Sequence, residues 1–254
     1  MTEYTDHHAP EGLRTRGTVV VVPGRGETRA TYGRFAGRLA ADAYRVRVVD
    51  APLFDGTEDT GAALGRFGAA LAEAVDGTAA DGGVAAPVVL VGADAGAAAL
   101  AALLGRDGAG PRADAVVLAG LPGPASPAVG SWDEELDVRT ACPAHRGTLS
   151  GDSRVRRGSL DEAVPDALLA AAYEAELPVP ALFLVGDADR LADRDALTRT
   201  AESQSRARLS VVRGAHHDVL NDANHRSVAA ETVAFLETLR NELVPVVSVE
   251  SSTW

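Results

Sequence analysis

Six short runs of β-branched and apolar residues, at 18–22, 44–50, 88–92, 115–119, 181–185 and 207–212, are separated by stretches of helical length. Between them, 32–41, 60–74, 95–104, 194–203 and 225–239 bring apolar residues back every three to four positions, the period of an amphipathic helix. Strands alternating with helices cannot pair as hairpins. They predict βαβ units and an α/β fold, a mostly parallel twisted sheet flanked by helices. The order is β-α-β-α-β-α-β, then a gap at 122–180, then β-α-β-α. That gap carries Pro and Gly clusters, charges of both signs and one candidate helix at 166–175. It is expected to be a short cap or lid inserted into one domain spanning 1–254, a length near the upper end for a single α/β unit. Residues 106–112 read as a Gly-rich surface loop and 245–254 as a loose tail.

Composition narrows the partners. A formal net charge of -12 leaves no basic patch to track phosphates, which excludes nucleic acid and disfavours an anionic membrane surface. No apolar run approaches the eighteen or so residues of a membrane span, and 1–8 lack the charged and apolar regions of a secretory leader, so a cytoplasmic protein is expected. Cys142 is the sole cysteine, which rules out an intrachain disulfide and a Cys-rich metal site. The reading requires no metal or organic cofactor, and a monomer or homodimer suits an acidic chain of this size.

Ligands of a parallel sheet bind beyond the carboxyl ends of its strands. Four loops fall there: 23–28, the turn around Asp94, 187–189 and 216–218. In VVLVGADAG an apolar run ends in Gly92-Ala93-Asp94-Ala95-Gly96, after which small helix formers begin. Glycines two before and two after a central residue let the chain reverse sharply and lift that side chain above the sheet. Asp94 would then sit at a helix N-terminus, where free N–H groups favour a carboxylate. Downstream, GDADR ends a strand with Asp187 and Asp189, and GAHHDVLND ends the last strand with His216 and His217. A central residue, an acid and a histidine, each after a parallel strand, follow the chain order of an α/β-hydrolase triad.

On these motifs the chain resembles the α/β-hydrolase superfamily over nearly its whole length. VVVVPGRGETRATYGRFAGRLAADAYRVRVVD resembles the opening of the lysophospholipase and monoacylglycerol-lipase branch, and GAHHDVLND its catalytic-histidine stretch. The resemblance implies that His217 is the catalytic histidine with His216 as neighbour, that Asp189 orients it, and that Asp187 caps its loop. It also implies an oxyanion site at Gly24, with the backbone N–H groups of Arg25 and Ala95 as donors. Two departures shape the chemistry. The branch carries GxSxG where this chain has GADAG, and His-Gly where it has Pro23-Gly24. Aspartate at the elbow resembles the epoxide hydrolases and haloalkane dehalogenases, which attack an alkyl carbon and hydrolyse the resulting aspartyl ester. The tryptophan that follows the aspartate in dehalogenases is Ala95 here, and Tyr173 is the only tyrosine in 122–180 to do the work of a cap tyrosine.

Competing readings stand beside these. Asp94 could be an ordinary helix N-cap, a general base, or the remnant of a lost activity. Arg25 is either a solvated loop charge or a partner of Asp94 or of a substrate anion. Asp187 competes with Asp189 for the acid role, with Asp133 behind both. Trp132 and Tyr173 are expected to pack the cap onto the sheet and wall an apolar pocket, His145 to be an exposed loop residue, Cys142 a small buried apolar one, and Asp218 and Asp222 helix-cap carboxylates. The expected function is hydrolysis of a small, partly apolar substrate, an epoxide or related electrophile. The alternatives are a cofactor-free isomerase, cyclase or C–C lyase using Asp94 and His217 as acid and base, and an inactive small-molecule binder.

Overall fold

The computed structural model describes residues 3–54, 56–106, 110–124 and 130–252; the centres of the expected 106–112 loop and of the first part of 122–180 lie outside them. Among the described residues, seven strands form one sheet: β1 (Tyr4–His7), β2 (Thr18–Val22), β3 (Arg45–Val49), β4 (Val88–Ala93), β5 (Ala115–Ala119), β6 (Ala181–Gly186) and β7 (Ala207–Val212). Their spatial order is β1-β3-β2-β4-β5-β6-β7, parallel throughout except for antiparallel β1. The helices are α1 (Gly33–Ala41), α2 (Thr60–Asp76), α3 (Ala95–Leu104), α4 (Trp132–Arg139), α5 (Pro143–Gly151), α6 (Asp166–Tyr173), α7 (Arg194–Ser203) and α8 (His225–Arg240).

Strand side chains alternate between faces, so the Val and Leu runs feed two cores at once. Val19, Val21, Val89, Val91 and Leu184 meet α1 and α8 through Phe35, Leu39, Val228 and Leu236. Val20, Val22, Leu90, Val116 and Phe183 meet α2, α3, α6 and α7 on the other side. Helix α3, AGAAALAALL, is apolar on every side and buried along nearly its whole length, as its composition demands. Truncation there opens a void between sheet and helices. We expect Leu100→Ala to lower stability by about 2–5 kcal/mol, read as a leftward shift of the urea midpoint with unchanged slope; a loss under about 1 kcal/mol would mean that the layer repacks.

The six expected strands and five expected helices are present within one or two residues. Three elements depart from expectation. β1 is too short and polar for a periodicity signal; it is held to the sheet edge by Asp6, whose carboxylate accepts from Arg47 Nε and Nη2 at 2.7 Å each. The 122–180 segment holds α4 and α5 as well as the anticipated α6. Of these, α6 lies within the helix layer, where Leu168, Leu169 and Ala172 join the core of α3. What covers the strand ends is α4, α5 and the turn at Ser159–Asp161, tied down where Val138 O accepts from His217 N (3.2 Å) and Gly26 O from Arg156 N (2.9 Å). No helix of the described residues is long and apolar enough to cross a membrane.

Candidate active site

Asp94 sits between β4 and α3 with φ 48° and ψ −122°. A non-glycine residue in that region carries strain of about 1–3 kcal/mol, a cost that persists only where the surroundings over-determine it. Here they do. The Asp94 N–H donates to Ala119 O (3.0 Å), and its carbonyl accepts from Ala97 N (3.0 Å). A Cβ on Gly92 would lie 2.6 Å from Gly96 O, and one on Gly96 2.6 Å from Pro23 O, so both glycines of the GADAG turn are steric requirements. The N-cap reading fails at this residue, because its side chain makes no cap hydrogen bond to α3.

That side chain turns instead to two cations. Asp94 Oδ2 accepts from the backbone N–H of Arg25 (2.8 Å) and from Arg25 Nε (2.9 Å), while Oδ1 accepts from Arg25 Nη2 (2.8 Å) and lies 3.1 Å from His217 Nε2. His217 Nδ1 lies 3.0 and 3.1 Å from the two Asp189 oxygens. Asp189 is fixed in turn by Leu191 N (2.9 Å), whereas Asp187 accepts from Gly214 N (2.6 Å) and closes the loop. Gly24 lets the Arg25 loop come this close: a Cβ there would lie 2.9 Å from Asp94 Cβ, and its own N–H is taken by Glu27 Oε2 (3.0 Å). So Asp94, His217, Asp189, Arg25, Gly24 and Ala95 converge.

Burial works against every charge in this line, and the neighbours decide the outcome. Desolvation alone would lower the His217 pKa, but the charge and hydrogen bond of Asp189, joined by Asp94, outweigh it and push His217 up to about 10. For Asp94 burial pulls upward, yet the Arg25 charge and the hydrogen bonds from His217 and Arg25 hold the carboxyl well below its usual range. At neutral pH the site is therefore an ionised Asp94 gripped by a guanidinium and an imidazolium.

A second buried network abuts the first and was not anticipated. Arg139, fully buried, donates to Glu135 Oε1 through Nε (3.0 Å) and Nη2 (2.8 Å), to the Arg25 carbonyl (2.8 Å) and to Ser159 Oγ (2.9 Å), with Asp218 Oδ1 at 3.5 Å. His145 is not an exposed loop residue: it is buried on α5 with Nε2 2.8 Å from Asp218 Oδ2. Asp218 and Asp222 do not cap helices either. Asp218 serves His145 and Arg139, and Asp222 gathers Thr140 Oγ1 (2.7 Å), Ala141 N (2.8 Å) and His216 N (2.6 Å) around the histidine loop. Glu27, hydrogen-bonded to the Tyr32 hydroxyl, is raised to about 7, chiefly by burial and then by the Asp218 charge. Glu27, His145 and Asp218 bring ligand-type atoms within 4.8 Å of one another, but Arg139 already supplies their countercharge. The Glu135–Arg139 spacing, i to i+4 on a helix, was the available signal for this network.

A cavity of about 220 Å³ opens beside Arg25 and Ala95. Its walls are the Ala51–Phe54 stretch after β3, Arg154, Arg156 and residues 162–164. It lies below the roughly 300–1,000 Å³ of sites for drug-sized ligands, so it suits a small molecule. Trp132 and Tyr173 do not line it. Trp132 packs with Leu136, Leu149 and Val155 inside the covering segment, under the Arg157 guanidinium; Tyr173 belongs to the α3 core, its hydroxyl donating to Pro122 O (3.2 Å). Cys142 is buried, as expected of a small apolar residue.

A parallel sheet with a strained Gly-flanked elbow after β4, an acid after β6 and a histidine after β7 defines the scaffold of an α/β hydrolase. The chain belongs to the alpha/beta hydrolase family, whose profile matches residues 19–231. Solved structures share the fold at low identity. A monoacylglycerol lipase from Paleococcus ferrophilus superposes with a TM-score of 0.69 at 19% identity, over 94% of this chain and 99% of that one. A soluble variant of the monoglyceride lipase of Saccharomyces cerevisiae gives 0.72 at 14%, over 93% and 91%. A carboxylesterase from Bacillus subtilis gives 0.64 at 12%, over 93% and 92%. No curated protein matches the chain in sequence.

Proposed function

We propose that the protein hydrolyses a small substrate with an electrophilic carbon, an epoxide above all, through an ester to Asp94. The observation that carries this reading is how the Asp94 carboxylate is divided: Oδ2 rests on the Arg25 backbone N–H, and Oδ1 faces His217 Nε2. One oxygen thus occupies the position of an oxyanion while the other is the attacking atom. Oδ1 attacks an oxirane carbon, the C–O bond breaks with its electron pair on the ring oxygen, and the proton on His217 Nε2 passes to that oxygen. An imidazolium held up to about 10 supplies the acid that Tyr173, half-buried against the α3 core with its hydroxyl on Pro122 O, does not. A halide would need no proton but would need a donor to receive it, and Ala95 offers no side-chain donor. Esterification removes the Asp94 charge and the proton transfer leaves His217 neutral, so the imidazole becomes a base for water at the moment a base is required. Water attacks the ester carbonyl, whose oxygen develops its charge on the Arg25 N–H. The family membership and the lipase and esterase folds among the neighbours support hydrolysis as the reaction class.

Single turnover of a small epoxide in oxygen-18 water, followed by peptide mass spectrometry, tests the route. We expect label in the peptide containing Asp94 in wild type and none in His217→Gln, which lacks both the acid that opens the ring and the base that activates water. Turnover with label only in the product would remove the ester and favour direct acid–base chemistry by Asp94 and His217, the reading that the protonated imidazole supports next best.

A further inference from the structure

Arg25 stands between Asp94 and the cavity and belongs to both. Its side chain is 8% exposed and lines the cavity beside Ala95, while Nε and Nη2 hold the Asp94 carboxylate as a fork. That fork covers Oδ1, the oxygen required to attack. In the state described, the nucleophile is therefore masked by the protein's own cation. The guanidinium is shaped for a planar carboxylate, which it grips by two parallel N–H bonds. Asp94 fills that role at rest. Two more arginines line the same cavity on its open side: Arg156, 2.8 Å from Glu162 Oε2, and Arg154, 3.2 Å from Asp152 Oδ1, with side chains 50% and 64% exposed. Leu53, Phe54 and Val164 form the apolar part of the wall. Glu27 and Glu162 line the cavity as well, and Arg154 and Arg156 are each paired with a carboxylate, so the group on this cavity with the geometry to grip an incoming carboxylate is the Arg25 fork.

We propose that Arg25 is the receptor for a carboxylate on the substrate, and that the transfer of its fork from Asp94 to that carboxylate unmasks Oδ1. The substrate class is then a small organic acid with its electrophilic carbon near the carboxylate. After the transfer Oδ2 keeps the Arg25 backbone N–H and Oδ1 keeps His217, the arrangement the chemistry needs. Neutral electrophiles leave the fork on Asp94 and react slowly. The inference rests on the aspartyl-ester reading for this chemical consequence, but the binding step stands apart from it.

The experiment uses matched probes on the whole protein. By calorimetry, unreactive butanoate is expected to bind wild type at least tenfold more tightly than butanamide, and more tightly than methylphosphonate. Arg25→Lys, which keeps the charge and loses the fork, is expected to erase most of that preference, and Arg25→Met all of it. Both variants lose the Nη1 bonds to Leu160 O and Glu162 O, and the wild-type comparison needs neither variant. In turnover, 2,3-epoxybutanoate is expected to exceed 2,3-epoxybutanamide in kcat/KM by at least tenfold. Equal binding of acid and amide, absence of binding by either, a preference for the phosphonate, or a preference retained in both variants would overturn the proposal. Each of those results leaves oxygen-18 entry into Asp94 free to succeed, whereas acid-selective binding without label would sink the ester and keep the receptor.

Discussion

Asp94→Asn is expected to abolish turnover, by about 10⁴-fold or more, the scale on which loss of a nucleophile or its base disables a triad hydrolase. Asparagine is nearly isosteric, so the elbow and its glycines tolerate it. What changes is charge. His217 then faces Asp189 alone, and its proton, held to about 10 partly by Asp94, leaves at a lower pH. The effect on stability has a definite sign. A histidine whose folded pKa lies above its unfolded value of about 6.5 stabilises the fold fully below that pH and loses the contribution as pH rises toward about 10. Wild type should therefore lose stability across that alkaline window, and Asp94→Asn should lose it over a narrower one. Nitrogen-15 NMR titration of the His217 ring reads the first effect, and chemical denaturation at several pH values the second. A variant that retains turnover removes Asp94 from the chemistry. A variant whose His217 titrates as in wild type removes the coupling on which the mechanism depends.

How much of this was legible in the sequence follows from the range of each interaction. The strands of VVVV, VVLVG and ALFLVG announce themselves because burial on both faces forces unbroken apolar runs. The elbow announces itself because sterics reserve two positions for glycine, and the order aspartate, acid, histidine places Asp94, Asp189 and His217 at one sheet edge. Arg25 was open between a solvated charge and a partner of Asp94, since a loop residue's neighbour 69 positions away is invisible to local pattern. His145, Asp218 and Asp222 were misread for the same reason: buried polar residues gain their meaning from partners 73 and 82 residues distant. β1 was missed because the bond that secures it, Asp6 to Arg47, joins an unremarkable edge segment to a strand already assigned. The covering helices were missed because α4 is too polar to show a stripe. It buries Glu135 and Arg139, the two residues that a hydrophobicity pattern counts as outside.

Arg139→Ala should be the most damaging change to the fold. The side chain is wholly buried and spans three parts of the molecule: Glu135 on its own helix, the Arg25 carbonyl on the loop after β2, and Asp218 after β7. Surface ion pairs are worth little, but removal of one member of a buried pair leaves the other charges without their countercharge, at a cost of about 3–5 kcal/mol. Here Glu135 would keep only the neutral donors Gly158 N–H and Ser159 Oγ, and Asp218 only His145, with Glu27 nearby adding a third acidic group. At about 2–4 °C per kcal/mol for a chain of this size, the melting temperature should fall by about 6–20 °C. Arg139→Met with Glu135→Leu should recover part of the loss, because apolar replacement of a whole pair avoids the unpaired charge. The recovered protein should still turn over slowly. Arg139 Nη2 anchors the Arg25 carbonyl, and without it the loop that presents the Arg25 N–H to Asp94 has lost a buried tie. Thermal melts of the single and double variants, with kcat/KM for the double, separate the two roles. A single variant within about 1 kcal/mol of wild type would mean that water or rearrangement satisfies Glu135 and Asp218, and a double variant with full activity would mean that the loop holds its position without Arg139.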